Sequence, residues 1–219
     1  MKKIIFTTAL AVLSFFSGYK ADAQFSLGAR AGLNFSTFSG ELPDDIDRRW
    51  VVGPKFGAIV NYGFTDVFSI QGEINYSMQG GQTMRYPTIE DERMALGYIN
   101  VPLLAKFTFG DENFRYFVNA GPYAGFAARG RLLGDDYSEV VSTYDAPVYR
   151  RDYGFAVGAG VMYPMGPGNI LFEARYTHGI FDVMVRDGVR PNETPEGVDP
   201  RQTRVIHLSV GYLIPFGVH

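Results

Sequence analysis

Between residues 25 and 216, apolar and polar positions alternate with a period of two in eight stretches. That is the pattern of strands with one apolar face. The clearest stretch covers 68–79. Phe68, Ile70, Gly72, Ile74, Tyr76 and Met78 share one face, and Ser69, Gln71, Glu73, Asn75, Ser77 and Gln79 the other. The remaining stretches are 25–36, 52–64, 98–109, 115–128, 152–163, 169–180 and 203–216. Helical periodicity is nowhere sustained. Connections alternate in length. Those at 65–67, 110–114 and 164–168 are tight turns rich in Gly, Asp, Asn and Pro, while 37–51, 80–97, 129–151 and 181–202 are long. Short turns on one side and long loops on the other are the pattern of a membrane barrel.

Alternation alone does not say which face looks inward. Volume does. Eight strands with several large apolar residues each carry more bulk than an eight-stranded interior can hold. The opposite face is rich in Gly, Ser and Asn, which suits a cramped interior. The apolar face is therefore expected to face lipid. Aromatic residues fall into two groups. Phe25, Phe64, Phe68, Phe107, Phe109, Tyr116, Tyr163, Phe172, Tyr212 and Phe216 lie toward the short turns. Phe35, Trp50, Tyr76, Tyr98, Phe155 and Tyr176 lie toward the long loops. Two such belts match the interfaces of a bilayer. The expected fold is all-β, an eight-stranded antiparallel up-and-down transmembrane β-barrel, with both ends of the barrel chain on the short-turn side.

The N-terminus has a different pattern. Lys2 and Lys3 precede an apolar run over 4–16, and Ala21-Asp22-Ala23 follows. This is the layout of a secretory signal peptide, and the run is shorter than the roughly 20 residues of a spanning helix. The reading is a cleaved signal peptide over 1–23 and a barrel domain over 24–219.

Composition narrows the function classes. A net charge of −3 provides no broad basic field, so nucleic acid is not an expected partner. Cysteine is absent, which removes disulfides, thiolate metal sites and cysteine nucleophiles. Charged residues at 20% and aromatics at 15% exclude disorder and a long coiled coil.

Three strand segments resemble the small outer-membrane β-barrel proteins of the Bacteroidota, often labelled porin-family proteins, with an OmpA/OmpX-like eight-stranded barrel. They are Tyr98-Ile99-Asn100-Val101-Pro102-Leu103-Leu104-Ala105-Lys106-Phe107, Tyr153-Gly154-Phe155-Ala156-Val157-Gly158-Ala159-Gly160-Val161 and Phe172-Glu173-Ala174-Arg175-Tyr176-Thr177-His178-Gly179. Ala21-Asp22-Ala23-Gln24 is similar to the signal endings of that group. Phe216 stands where such barrels carry a C-terminal aromatic, with Gly217-Val218-His219 after it. The resemblance implies a Gram-negative outer-membrane location.

Candidate chemistry is sparse. Arg30, Lys55, Glu73, Lys106, Glu173 and Arg175 fall on the inward face and form a lumenal charge network, structural or pore-lining. In a narrow interior these charges must pair. Glu73 and Glu173 are expected to meet Lys106, Arg175 or Arg30. His178 points out and His207 in, which argues against a catalytic dyad. Asp44-Asp45-Ile46-Asp47 lacks EF-hand spacing, and Gly158-Ala159-Gly160 sits inside a strand rather than before a helix. No catalytic, cofactor or metal site is assigned. The expected function is a non-enzymatic barrel with a largely plugged polar interior. Its long extracellular loops would serve membrane integrity or surface interaction. The alternatives are a narrow channel for ions or small solutes, or an accessory barrel of a secretion or assembly machine. The expected partners are outer-membrane lipid and a surface or secretion-machinery protein held by the loops, and the chain is expected to be a monomer.

Overall fold

The structure, a computed structural model, describes residues 24–38, 50–82, 93–133, 138–141, 151–180 and 202–216. The expected signal peptide and most of the acidic loop runs lie outside the described residues. Among the described residues there are nine strands: β1 Gln24–Phe38, β2 Val51–Gly63, β3 Phe68–Gln82, β4 Arg93–Gly110, β5 Arg115–Leu133, β6 Ser138–Val141, β7 Arg151–Met165, β8 Gly168–Gly179 and β9 Thr203–Phe216. Eight of them, all but β6, close into an antiparallel barrel. Sequence neighbours pair in order, β9 returns to β1, and β5 pairs directly with β7. Closure pairs each of the eight barrel strands on both sides, which a bilayer demands.

Two details depart from the alternation pattern. The stretch 129–151, expected as one long link, contains the end of β5 and the short strand β6, which pair from Gly130↔Val141 to Leu133↔Ser138. Charges at Arg131 and Glu139 hid this hairpin, which extends beyond the apolar belt. Tyr98, expected in the loop-side belt, turns inward and is buried. It shares the parity of Asn100 and Pro102, and the β4–β5 register shifts between Gly97 and Tyr98.

Local chemistry explains the turns. Thr65 Oγ1 accepts from the backbone N–H of Phe68 at 2.8 Å, and Asp111 Oδ1 accepts from those of Asn113 and Phe114 at 2.8 and 2.9 Å. Such side-chain turns favour chain reversal. Gly110 and Gly166 adopt φ of +113° and +62°, a region that side chains disfavour.

Large apolar side chains face outward along all eight barrel strands. Phe155 and Ile74 are each 61% exposed. Ring pairs bind the short-turn belt together, including Phe68 with Phe107 and Phe109 with Tyr116. Tyr212 Oη also donates to Met165 O at 2.7 Å, tying β9 to a turn.

Candidate functional site

The inward face carries the polar residues of every barrel strand, and the barrel is narrow enough for them to meet across its axis. Glu73 on β3 and Arg175 on β8 come from strands four positions apart either way round the barrel. Their side chains still form a bidentate pair, with Arg175 Nη1 donating to Glu73 Oε2 at 2.9 Å and Nη2 to Oε1 at 2.7 Å. The pair therefore bridges the full bore. Arg30 and Glu173 complete a ring. Arg30 Nη2 lies 3.3 Å from Glu73 and 2.8 Å from Glu173, and Arg175 Nη2 lies 2.6 Å from Glu173. All four side chains are at most 2% exposed.

Amides complete the shells of both carboxylates. Gln71 Nε2 and Asn75 Nδ2 donate to Glu73 at 2.5 and 2.9 Å, and Asn119 Nδ2 donates to Glu173 at 2.9 Å. A buried ion pair is tolerable only when its remaining lone pairs are satisfied in this way. Gly158 leaves the space for it, since a Cβ there would stand 2.7 Å from Glu173 Oε1 and 2.8 Å from Asn119 Oδ1.

All six charges assigned to the lumen point inward and are buried. Four of them form the ring, and the two lysines do not. Lys106 Nζ donates to Gln71 Oε1 at 3.2 Å and sits 4.3 Å from the centre of the Phe117 ring, a cation–π contact. Lys55 lines a small cavity on the loop side of the ring. The arginines prevail because a planar fork can grip two carboxylates at once, whereas an ammonium is a point charge.

On the short-turn side of the ring lies an apolar floor of Ile59, Phe117, Met162, Leu171 and Leu213. Alternation places these residues inward, but their role as a layer depends on strand stagger. Beneath the floor is a cavity of about 350 Å³ at the short-turn end, bordered by Asn61, Ser69, Lys106, Thr108, Arg115 and Asn169 among others. On the loop side a second cavity measures only about 20 Å³. There the polar side chains bond one another. His207 Nδ1 meets Asn34 Oδ1 at 2.5 Å, Thr177 Oγ1 meets His207 Nε2 at 3.1 Å, and Asn34 Nδ2 donates to Ser77 Oγ at 2.6 Å. Nearer the mouth, Tyr123 Oη donates to buried Asp152 at 3.0 Å. His178 lies away from His207, beside Tyr176 on the outer face, with Tyr176 Oη 3.3 Å from its Nδ1. Among the described residues no group of three or more His, Cys, Asp or Glu could hold a metal ion.

Comparisons with known proteins agree with this architecture. No curated protein matches the chain. Among solved structures, OprG of Pseudomonas aeruginosa is 13% identical with a TM-score of 0.54, covering 92% of this chain and 99% of its own. The Neisserial surface protein A is 14% identical with a TM-score of 0.48, covering 88% of this chain and 97% of its own. Ail, the attachment invasion locus protein of Yersinia pestis, is 14% identical with a TM-score of 0.43, covering 89% and 100%. The likeness to OprG shows the fold. The model of the outer membrane protein beta-barrel domain matches residues 18–185, most of the chain. A closed barrel, apolar outside and polar inside, is consistent with that match, and this chain is a member of the outer membrane protein β-barrel domain family, located in the cell outer membrane.

Proposed function

We propose that the protein is a non-enzymatic scaffold of the outer membrane. Its interior is a plug, and its long loop-side links serve membrane integrity or bind a surface or secretion partner. The observation that carries the plug is the Glu73–Arg175 pair, which crosses the whole bore with no exposed surface on Glu73. Resemblance of the three strand segments supports an origin in the Bacteroidota. The chain acts as a monomer in this reading, because each of the eight barrel strands is already paired on both sides.

The test is single-channel recording of the refolded mature protein in a planar bilayer, with heat-modifiable gel mobility checking that the barrel has formed. A folded barrel without discrete conductance steps is the expected result. Discrete steps from the wild-type protein would overturn it and favour a second reading, a narrow pore. That reading draws on the 350 Å³ cavity at the short-turn end and on the basic side chains Lys55 and Lys106, one on each side of the ring. The pore would then prefer anions. A loop partner would be tested by co-purification from native membranes in mild detergent. A stoichiometric companion is expected, and a barrel recovered alone would count against the partner.

A further inference from the structure

On the outer face, a row of hydrogen-bond donors stands at the loop-side edge of the apolar surface. Thr37 on β1, Arg204 on β9 and His178 on β8 are direct cross-strand neighbours. Alternation puts all three on the outward side, between inward residues such as Ser36, Thr203 and Thr177. The next outward row toward the membrane is Phe35, Ile206 and Tyr176, part of the loop-side aromatic belt. No carboxylate among the described residues lies within ion-pair distance of Arg204. Its Nε is buried without a hydrogen-bond partner. Tyr176 Oη lies 3.3 Å from His178 Nδ1. With the hydroxyl donating to Nδ1, Nε2 of the imidazole is an N–H donor. An outward cation at belt level belongs among lipid headgroups.

A second feature lies deeper on the same strands. The outer face there holds an apolar groove of about 470 Å³, lined by Ala31, Leu33, Phe172, Ala174, Leu208 and Val210 among others. Ala31 and Ala174 carry only methyl groups, so the surface sinks between their larger neighbours. The volume falls within the roughly 300–1,000 Å³ of small-molecule sites. Ala174 follows the strand of His178, and Leu208 that of Arg204, each four positions away. That separation is about 13 Å along a strand. With the tilt of a barrel strand the drop is about 10 Å. The groove therefore lies in the hydrocarbon beneath a headgroup held at the donor row.

We propose that β1, β8 and β9 hold one phosphorylated lipid of the loop-side leaflet, with its phosphate on Arg204, His178 and Thr37 and an acyl chain in the groove. The guanidinium fork suits a phosphate, and the row and the groove sit at the headgroup and acyl depths of one molecule. A free anion would use the row alone, and a second copy of the chain the groove alone. The site rests on the outer-membrane location and does not depend on whether the bore conducts.

Native mass spectrometry of the refolded protein, released from detergent micelles, reads bound lipid directly. With dioleoyl phosphatidylglycerol added, one lipid per barrel should survive release. With dioleoylglycerol, which has the same chains and no phosphate, none should. Arg204→Gln should retain about tenfold less phosphatidylglycerol, the effect of losing charge-assisted hydrogen bonds. Ala174→Phe fills the groove, leaves the donor row intact and should lose the lipid as well. Heat-modifiable gel mobility checks that each barrel has formed. Equal retention of both lipids by the wild type would overturn the proposal, and so would unchanged retention in either variant. Inorganic phosphate retained without lipid would assign the row to a free anion, and a lipid-free dimer would assign the groove to a second copy. Both results would overturn the lipid. If a variant does not fold, the wild-type comparison of the two lipids decides.

Discussion

Glu73 receives hydrogen bonds from Gln71, Asn75 and two nitrogens of Arg175. Removing that carboxylate leaves two buried arginines sharing one counter-charge. Glu73→Ala should lower folding stability by about 3–5 kcal/mol, the cost of stranding a buried charge. Arg175→Lys keeps the charge and loses the fork, so it should also destabilise, though by less. Urea unfolding of the refolded protein, followed by tryptophan fluorescence or by the fraction of compact band on a cold gel, measures both. An Arg175→Lys protein as stable as wild type would show that charge alone holds the ring.

At the scale of elements, the turns and the outer faces of the strands carry separate expectations. Asp111 in the β4–β5 turn is exposed, and the backbone N–H groups of Phe114 and Asn113 hold its carboxyl below the usual carboxylate range. A lowered folded value means the turn gains from ionised Asp111 above the ordinary range and loses that gain as pH falls through the lowered value. The stability gap between wild type and Asp111→Ala should be flat near neutrality and close in acid. A gap unchanged in acid would remove the charge from the account. On the lipid face, Ile74 lies on β3 next to Glu73 and is 61% exposed. Ile74→Arg should cost about 2–4 kcal/mol if that position sits near the bilayer midplane. The fraction refolded into vesicles reports it. Efficient insertion of this variant would contradict the assignment of that face to lipid.

The whole barrel places two barriers in series. The charged ring spans the bore, and the floor of Ile59, Phe117, Met162, Leu171 and Leu213 lies between it and the short-turn cavity. Breaking one leaves the other. The double variant Glu73→Ala with Arg175→Ala should remain silent in planar bilayers, whereas adding Phe117→Ala should give discrete steps. Steps from the double variant would show that the ring is the only seal.

The inside and outside of each strand were legible along the chain. A strand's side chains alternate by local backbone geometry, so parity put Glu73 and Arg175 on one face and Ile74 on the other, and side-chain volume made the first face the inner one. The turn chemistry of Thr65 and Asp111 and the signature of the outer-membrane barrel were local in the same way. Partnership was not. A register shift of two residues keeps every side chain on its face and changes every contact across the bore. Strand order, stagger and closure therefore decided that Arg30 and Arg175 share both glutamates. They also decided that Lys106 rests on Phe117 and that inward leucines and a phenylalanine stack into a floor. Tyr98 and the β6 hairpin belong to the same class. Alternation carries the side on which a residue lies, and only the closed sheet brings residues from opposite walls within bonding distance.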